Sequence, residues 1–240
     1  MFDGKRYWLV GASEGLGRAL AQALDAQGAR LVLSARSAER LAELAQTLNA
    51  PQLVPMDVTD ADSVASASAL VGAHDGIIYC AGFYEPIAAQ AWQSAPIEAM
   101  AEVNFVGALR VLGHSVPQFV AANAGHIVLI GSLAGFRGLP GAIGYGASKA
   151  GVMHLGETLY ADLRKTGVRV QVVNPGFIAT RLTEKNRFDM PQLMSAQAAA
   201  AQVIAAMRSQ RFSTSFPRPF SLLFTLGRYL PFKVFSRLFG

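Results

Sequence analysis

Short apolar runs alternate along this chain with longer stretches whose apolar positions recur every three or four residues. Tyr7 to Val10 is the first run; a glycine-rich turn and an alanine-rich helical pattern from Leu16 to Gln27 follow it. Gly28 stops that helix, because glycine tolerates the left-handed backbone of a helix end. The pattern then predicts a strand over 31–35, a helix over 38–48 and a third strand over 53–56. Asp60 offers a carboxylate to the orphan N–H groups of a helix that runs to Val71. Further strands are expected over 76–80, 126–130 and 168–173, and a helix over 144–165. A long helical region covers 97–122, where Pro117 is expected to kink it. Strands with few polar positions, each followed by a helix, imply a parallel sheet covered on both faces. Right-handed crossovers make this a doubly wound, three-layer α/β/α fold. Without a linker or an internal repeat, residues 1–240 read as one domain.

Composition narrows the picture. With 240 residues, 52% hydrophobic and 15% charged, the chain has ample core and is not disordered. One Cys excludes an internal disulfide, and four scattered His show no metal-ligand spacing, so no metal is expected. Residues 1–5 are too short and polar for a signal peptide, which points to a reduced, cytoplasmic compartment.

Charge is uneven. The net value is +5, yet residues 190–240 contain six basic side chains and no acidic one. The body is thus near neutral, unlike a nucleic-acid binder. The tail, about 212–240, also holds seven of the 14 Phe but no apolar run long enough for a spanning helix. Phe232, Phe235 and Phe239 recur at helical spacing with Lys233 and Arg237 between them, the pattern of an amphipathic helix. Such a helix can lie on the inner face of a membrane, cover a site, meet another subunit, or pack on its own domain. Peripheral membrane contact is the expectation.

The turn after the first strand reads Gly11-Ala12-Ser13-Glu14-Gly15-Leu16-Gly17. Glycines there permit a tight turn and close approach of a pyrophosphate, while the helix N-terminus supplies N–H groups and partial positive charge. The second strand ends Ser34-Ala35-Arg36-Ser37, with no acid before Glu39. A carboxylate at that place selects NAD through the ribose hydroxyls; Arg36 instead matches a 2′-phosphate, with Ser37 or Ser13 as added hydroxyl donors. NADP(H) is therefore expected over NAD(H).

Tyr145 and Lys149 stand four apart on one predicted helix, hence on one face. An ammonium beside a phenol favours phenolate and brings an otherwise poor proton donor toward neutral pH. Tyr229 and Lys233 share the spacing, but Pro231 between them interrupts a helix. Ser132 closes the fifth strand at the carboxyl edge of the sheet, where such folds bind ligands.

Gly11-x-x-x-Gly15-x-Gly17, Asn104, Ser132 and Tyr145-x-x-x-Lys149 together resemble the short-chain dehydrogenase/reductase family. Asp57-Val58, Ala81-Gly82 and Pro175-Gly176-x-Ile178-x-Thr180 fit the same pattern over residues 7–180. The resemblance implies a Rossmann fold and an oxidoreductase that moves hydride between nicotinamide and a carbonyl or secondary alcohol. It implies that Tyr145 is the general acid/base, Lys149 its electrostatic and ribose-binding partner, and Ser132 the hydroxyl that orients the carbonyl. Asn104 would hold a water in a proton relay; its other reading is a helix-bending residue satisfied by backbone. The cofactor contacts implied are Gly11, Ser13, Glu14, Gly15, Leu16, Gly17, Arg36, Asp57, Val58, Cys80, Ala81, Gly82, Tyr145, Lys149, Pro175, Gly176, Ile178 and Thr180. Thr180 alternatively caps a following helix. A homodimer or homotetramer is the family's usual assembly.

Three positions depart from the family pattern. Val10 stands where many relatives have Thr, Tyr79-Cys80 where they have Asn-Asn, and the final strand has no glycine-rich ending. Cys80 is then a small buried hydrophobe rather than a nucleophile. Residues 177–195 resemble the loop that covers substrate; Phe177, Leu182, Phe188, Met190, Leu193 and Met194, with Phe83, Tyr84 and Leu133, can wall a lipophilic pocket. The rival functions are a dinucleotide-sensing module without turnover and a membrane-surface scaffold acting through its tail. The sixty residues after Thr180 leave little room for the substrate domain of an epimerase or dehydratase.

Overall fold

The computed structural model describes residues 1–186 and 188–238. Strands β1 (Arg6–Val10), β2 (Arg30–Ser34), β3 (Gln52–Leu53), β4 (Gly76–Tyr79), β5 (Gly125–Ile130), β6 (Val168–Pro175) and β7 (Ser213–Phe216) form one parallel sheet in the order β3-β2-β1-β4-β5-β6-β7. The order reverses between β1 and β4, so the crevice beyond their carboxyl ends is the topological switch point that binds ligands in doubly wound sheets.

Alternation along each strand splits the core in two. Leu9, Leu31, Leu33, Val128 and Ile130 face helices α1 (Gly15–Asp25), α2 (Ala38–Ala45) and α7 (Ala196–Arg208). Trp8, Val10, Val32, Ile127 and Leu129 face α3 (Ala61–Val71), α5 (Gly107–Ala122) and α6 (Ile143–Leu163) on the other side. Asp60 caps α3 as expected, accepting from the N–H groups of Asp62 and Ser63.

Two readings of the pattern need correction. The region expected as one helix over 97–122 is α4 (Ser94–Ala101), a π-turn at Glu102–Val106, and α5. The interruption falls at Asn104, and α5 runs through Pro117 to Ala122. A π-turn opens a helix by one residue and re-aims a side chain, which Asn104 uses below. The second correction concerns the tail: Ser213–Phe216 joins the sheet, so the appendage starts after Phe216 rather than at 212. Strand β7 carries one fully buried residue and lacks the apolar run that announces the others.

Helices α8 (Phe220–Gly227) and α9 (Phe232–Ser236) complete the described chain. Phe224 and Phe235 sink from them into a small separate core with Leu133, next to Ser132. Phe239, invoked above for helical spacing, lies outside the described residues.

Buried polar groups deep in the sheet are paired around His126, whereas Asn174 Oδ1 near the end of β6 has no partner among the described residues. Tyr7 Oη and Gln171 Oε1 bond the two ring nitrogens of His126 at 2.9 Å each. Burial, with Arg169 adding to it, pushes His126 down to about 4, so its ring is neutral in the folded protein.

Candidate active site

The glycine turn is built to be bare. Gly11 has φ +90, and a Cβ there would lie 2.4 Å from the Ala81 nitrogen; a Cβ on Gly17 would lie 1.9 Å from the Gly11 carbonyl oxygen. Only glycine fits both positions. Helix α1 starts at Gly15 with no side chain capping its first N–H groups. Free donors at a helix N-terminus, above a turn without side chains, are a seat for a pyrophosphate.

From this turn a cleft of about 1380 Å³ runs across the carboxyl ends of the strands. Its adenosine end is lined by Ser13, Arg36, Arg40, Asp57 and Val58, and its centre by Cys80, Ala81, Gly82, Pro175, Gly176, Ile178 and Thr180. Ser132, Tyr145 and Lys149 form part of the wall, and Phe177, Leu182, Phe188, Phe220, Leu223 and Phe224 line the far part. Gly11, Glu14, Gly15, Leu16 and Gly17 line it as well. The cleft thus gathers all the expected catalytic and cofactor residues except Asn104; of the substrate wall expected from sequence, Phe177, Leu182, Phe188, Tyr84 and Leu133 line it, while Phe83, Met190, Leu193 and Met194 do not. An extended dinucleotide fits this arrangement: bare backbone at its middle, a cation at one end and the Tyr145 phenol with Ser132 and Lys149 at the other.

Arg40 and Ser37 modify the adenosine end as read from sequence. Arg40 Nη1 bonds Glu14 Oε2 at 3.0 Å, so a second cation faces the cleft beside Arg36. Its signal lay in the spacing, four residues after Arg36, one turn along α2. Ser37 accepts from Arg40 N as the cap of α2 and donates to Glu39 Oε2, so its hydroxyl hydrogen is already used. Glu14 also receives Arg181 Nη2 at 2.7 Å, a bond that crosses the cleft from the glycine turn to the loop after Thr180.

At the chemical end, Ser132 caps the turn Leu133–Gly135 by accepting from Ala134 N at 3.1 Å, which fixes its side chain at the end of β5. Tyr145 stands near the start of α6, and Lys149, one turn on, donates to the Ile130 carbonyl at 2.9 Å. The Lys149 ammonium lies 5.9 Å from the centre of the Tyr145 ring. Burial raises the Tyr145 phenol above its ordinary range; the Ser132 hydroxyl beside it pulls the other way. Burial also brings Lys149 down to about 8. In the protein alone, desolvation therefore outweighs the acidification expected from the amine, and Tyr145 is held as a phenol. Tyr229 is 78% exposed and precedes α9, so the rival Tyr–Lys pair forms no site.

Asn104 is fully buried behind the wall. Its Oδ1 accepts from Phe83 N at 2.7 Å, while its Nδ2 donates to Phe83 O at 3.0 Å and to Ser148 Oγ at 2.8 Å. Among the described residues its contacts are those of a brace between α6 and the segment after β4, the backbone-satisfied alternative. Tyr79, where the family pattern has Asn, donates its hydroxyl to the Val103 carbonyl in the π-turn. Gly107 makes room for it: a Cβ there would lie 2.6 Å from that hydroxyl oxygen. Cys80 lines the cleft, and burial pushes its thiol up to about 11, which keeps it protonated and unreactive. Among the described residues the Thr180 side chain is not a helix cap: the next turn, Thr183–Lys185, begins at Leu182 without a side-chain cap.

Tyr84 carries more than pocket wall. Its ring meets Tyr145 edge-on at 4.9 Å, and its hydroxyl donates to Asn186 Oδ1 at 2.7 Å on the covering loop. Lys185 pairs with Glu85 beside it, so the loop is latched to the segment whose Tyr84 packs on Tyr145.

Comparison with known proteins agrees with this geometry. The family model described as short chain dehydrogenase matches residues 5–191. An uncharacterized oxidoreductase of Myxococcus xanthus is 34% identical over 236 residues, spanning 95% of this chain and 93% of its own. A short chain dehydrogenase from Burkholderia cenocepacia, solved in complex with NADP, superposes with a TM-score of 0.85 at 26% identity, covering 98% of this chain and 96% of that one. A short-chain dehydrogenase from Sphingobium yanoikuyae in complex with NADPH gives 0.83 at 27% identity, covering 90% and 89%. The chain belongs to the short-chain dehydrogenase/reductase family and is an NAD(P)-dependent oxidoreductase.

Proposed function

We propose that this enzyme is an NADP(H)-dependent carbonyl reductase acting on a lipophilic ketone or aldehyde. The observation that carries the reading is the continuity of one cleft, from two arginines at its adenosine end, past Ser132 and Tyr145, to an aromatic wall. Arg36 and Arg40 match the dianionic 2′-phosphate, and the segment after β2 offers no carboxylate before Glu39 to hold an unphosphorylated ribose.

The nicotinamide, when bound, supplies the hydride that the carbonyl carbon accepts. The rest falls to side chains of the chain itself. Ser132 donates to the substrate oxygen and orients it, and Tyr145 delivers the proton to that oxygen as negative charge grows there. A phenol kept protonated by burial suits the reductive direction. Lys149 stabilises the phenolate that remains and contributes to holding the ribose. Asn104 supports the site from behind, and a water held there would complete the proton relay. The aromatic wall excludes solvent around the reacting centre.

The reading places the enzyme in the reducing cytoplasm, as one domain assembled into a homodimer or homotetramer, with its tail in peripheral contact with the inner face of a membrane. Steady-state rates with a panel of lipophilic ketones and aldehydes, each with NADPH and NADH, test it. NADPH should be preferred, and Arg36→Asp should lower the NADPH-to-NADH ratio of kcat/KM by about 10- to 100-fold. An unchanged ratio in that variant would remove the argument for NADP(H).

A further inference from the structure

Helices α8 and α9 are apolar on their outer side as well as their inner side, unlike a helix of a free globular surface. Their inner side holds Ser221, Phe224, Gly227 and Phe235, all buried. Their outer side exposes Leu222, Leu223 and Leu226 from α8, and Phe232, Val234 and Leu238 from α9 and just beyond. Between the helices, Tyr229 and Leu230 are exposed as well. Apart from Pro231, each remaining exposed residue from 222 to 238 is a cation: Arg228, Lys233 and Arg237. A contiguous stretch whose exposed side chains are almost all apolar, aromatic or cationic marks an interaction surface.

Charge decides the occupant. A second copy seated by two-fold symmetry would set this segment, with three exposed cations and no acidic side chain of its own, against itself. An acidic soluble protein would answer the cations but not the larger apolar share. Anionic phospholipid answers both, with headgroups for the cations and acyl chains for the leucines and aromatics.

The same surface borders the catalytic cleft. Leu223 and Leu238 are 36% and 55% exposed and also line the cleft. Phe188, on the covering loop, is likewise both exposed and cleft-lining. The segment is tied to the loop that follows Ser132: Arg137 Nη2 donates to the Arg228 carbonyl at 2.7 Å and to the Leu230 carbonyl, and its guanidinium lies 5.7 Å from the Phe232 ring centre.

We propose that the outer face of α8–α9 docks on an anionic phospholipid surface and turns the mouth of the cleft toward it, so that the carbonyl compound enters from the membrane. The docking stands on the tail alone; the entry route rests on the carbonyl-reductase reading above.

The test uses the full chain and sedimentation with vesicles of mixed phosphatidylglycerol and phosphatidylcholine, or of phosphatidylcholine alone. Binding to the mixed vesicles should be at least about tenfold stronger and should weaken in high salt. Leu226→Ser/Tyr229→Ser, at two positions that do not line the cleft, should lower binding about tenfold, as should Lys233→Gln/Arg237→Gln. With a long-chain ketone dissolved in the vesicles, the first variant should lose about tenfold in rate, while a short water-soluble ketone is reduced as by wild type. Protein that stays in the supernatant with both vesicles would overturn docking. So would a change of oligomeric mass in Leu226→Ser/Tyr229→Ser, which would assign the face to a second copy. Binding lost with the cations but indifferent to the serine changes would assign it to an acidic partner and overturn it too. Vesicle binding without turnover of any ketone would leave docking intact and remove the carbonyl reading. Equal rates of wild type and variant on the vesicle-borne ketone would overturn the entry route alone.

Discussion

The two ends of the cleft are held by different means. At the glycine turn, where a pyrophosphate would sit, the determinants are backbone: Gly11 and Gly17 approach neighbouring main chain so closely that no side chain fits, and α1 presents uncapped N–H groups. At the substrate end they are long side chains reaching across sequence, such as Arg137 to the carbonyls of Arg228 and Leu230, or Tyr84 to Asn186. A seat made of backbone tolerates no change at its glycines and accepts one ligand shape. A wall tied by side chains can be re-cut residue by residue, which lets one scaffold serve many carbonyl compounds.

The sharpest way to break the contrast is Gly17→Ala. Its Cβ would meet the Gly11 carbonyl, so the turn must shift, and NADPH affinity measured by fluorescence titration should fall by at least about 100-fold. Retained affinity would show that the turn is more yielding than its geometry implies.

A second prediction probes the sheet beneath both ends. His126 is held neutral down to about pH 4, whereas in the unfolded chain it takes a proton near pH 6.5. Between those values the unfolded state binds the extra proton, so stability present above pH 6.5 is lost as pH falls toward 4, by up to about 3 kcal/mol. Urea unfolding at pH 7 and pH 5 should show that slope, and His126→Leu should remove most of it whatever it costs at neutral pH. An equal slope in the variant would place the acid sensitivity elsewhere.

The smallest expected effect belongs to the substrate end. Arg137→Ala should leave NADPH binding unchanged while raising KM for a lipophilic ketone about tenfold, through loosening of the tail that it anchors. Equal loss of cofactor affinity would mean that the two ends are not separately held.

The same contrast explains what could be read from the chain before its structure. The strand runs, the glycine turn, the Asp60 cap, Ser132 and the Tyr145–Lys149 pair carry local signals, since each depends on neighbours within one or two turns. The order of strands follows from handedness and short connections. The π-turn at Asn104 escaped because nothing nearby in sequence distinguishes it from a helix; it forms where Tyr79 reaches the Val103 carbonyl and Asn104 reaches Phe83. Strand β7 escaped because its Ser-Thr-Ser run is polar and is recruited by pairing with β6. Arg40 was passed over because its role depends on Glu14, far off in sequence and near in space. The sign of the Tyr145 shift was legible only in part: the amine was visible from spacing, but the burial that outweighs it is a property of the folded wall.

The central claim is that Tyr145 passes the proton under the control of Lys149. Single-turnover reduction of a ketone by enzyme-bound NADPH, followed across pH for wild type and Tyr145→Phe, tests it most directly. The account predicts a wild-type rate that falls on the alkaline side around pH 8, where buried Lys149 loses its charge. It predicts a loss of about 1000-fold in Tyr145→Phe with NADPH affinity intact. A phenylalanine variant that transfers hydride at the wild-type rate, with the same pH profile, would contradict it.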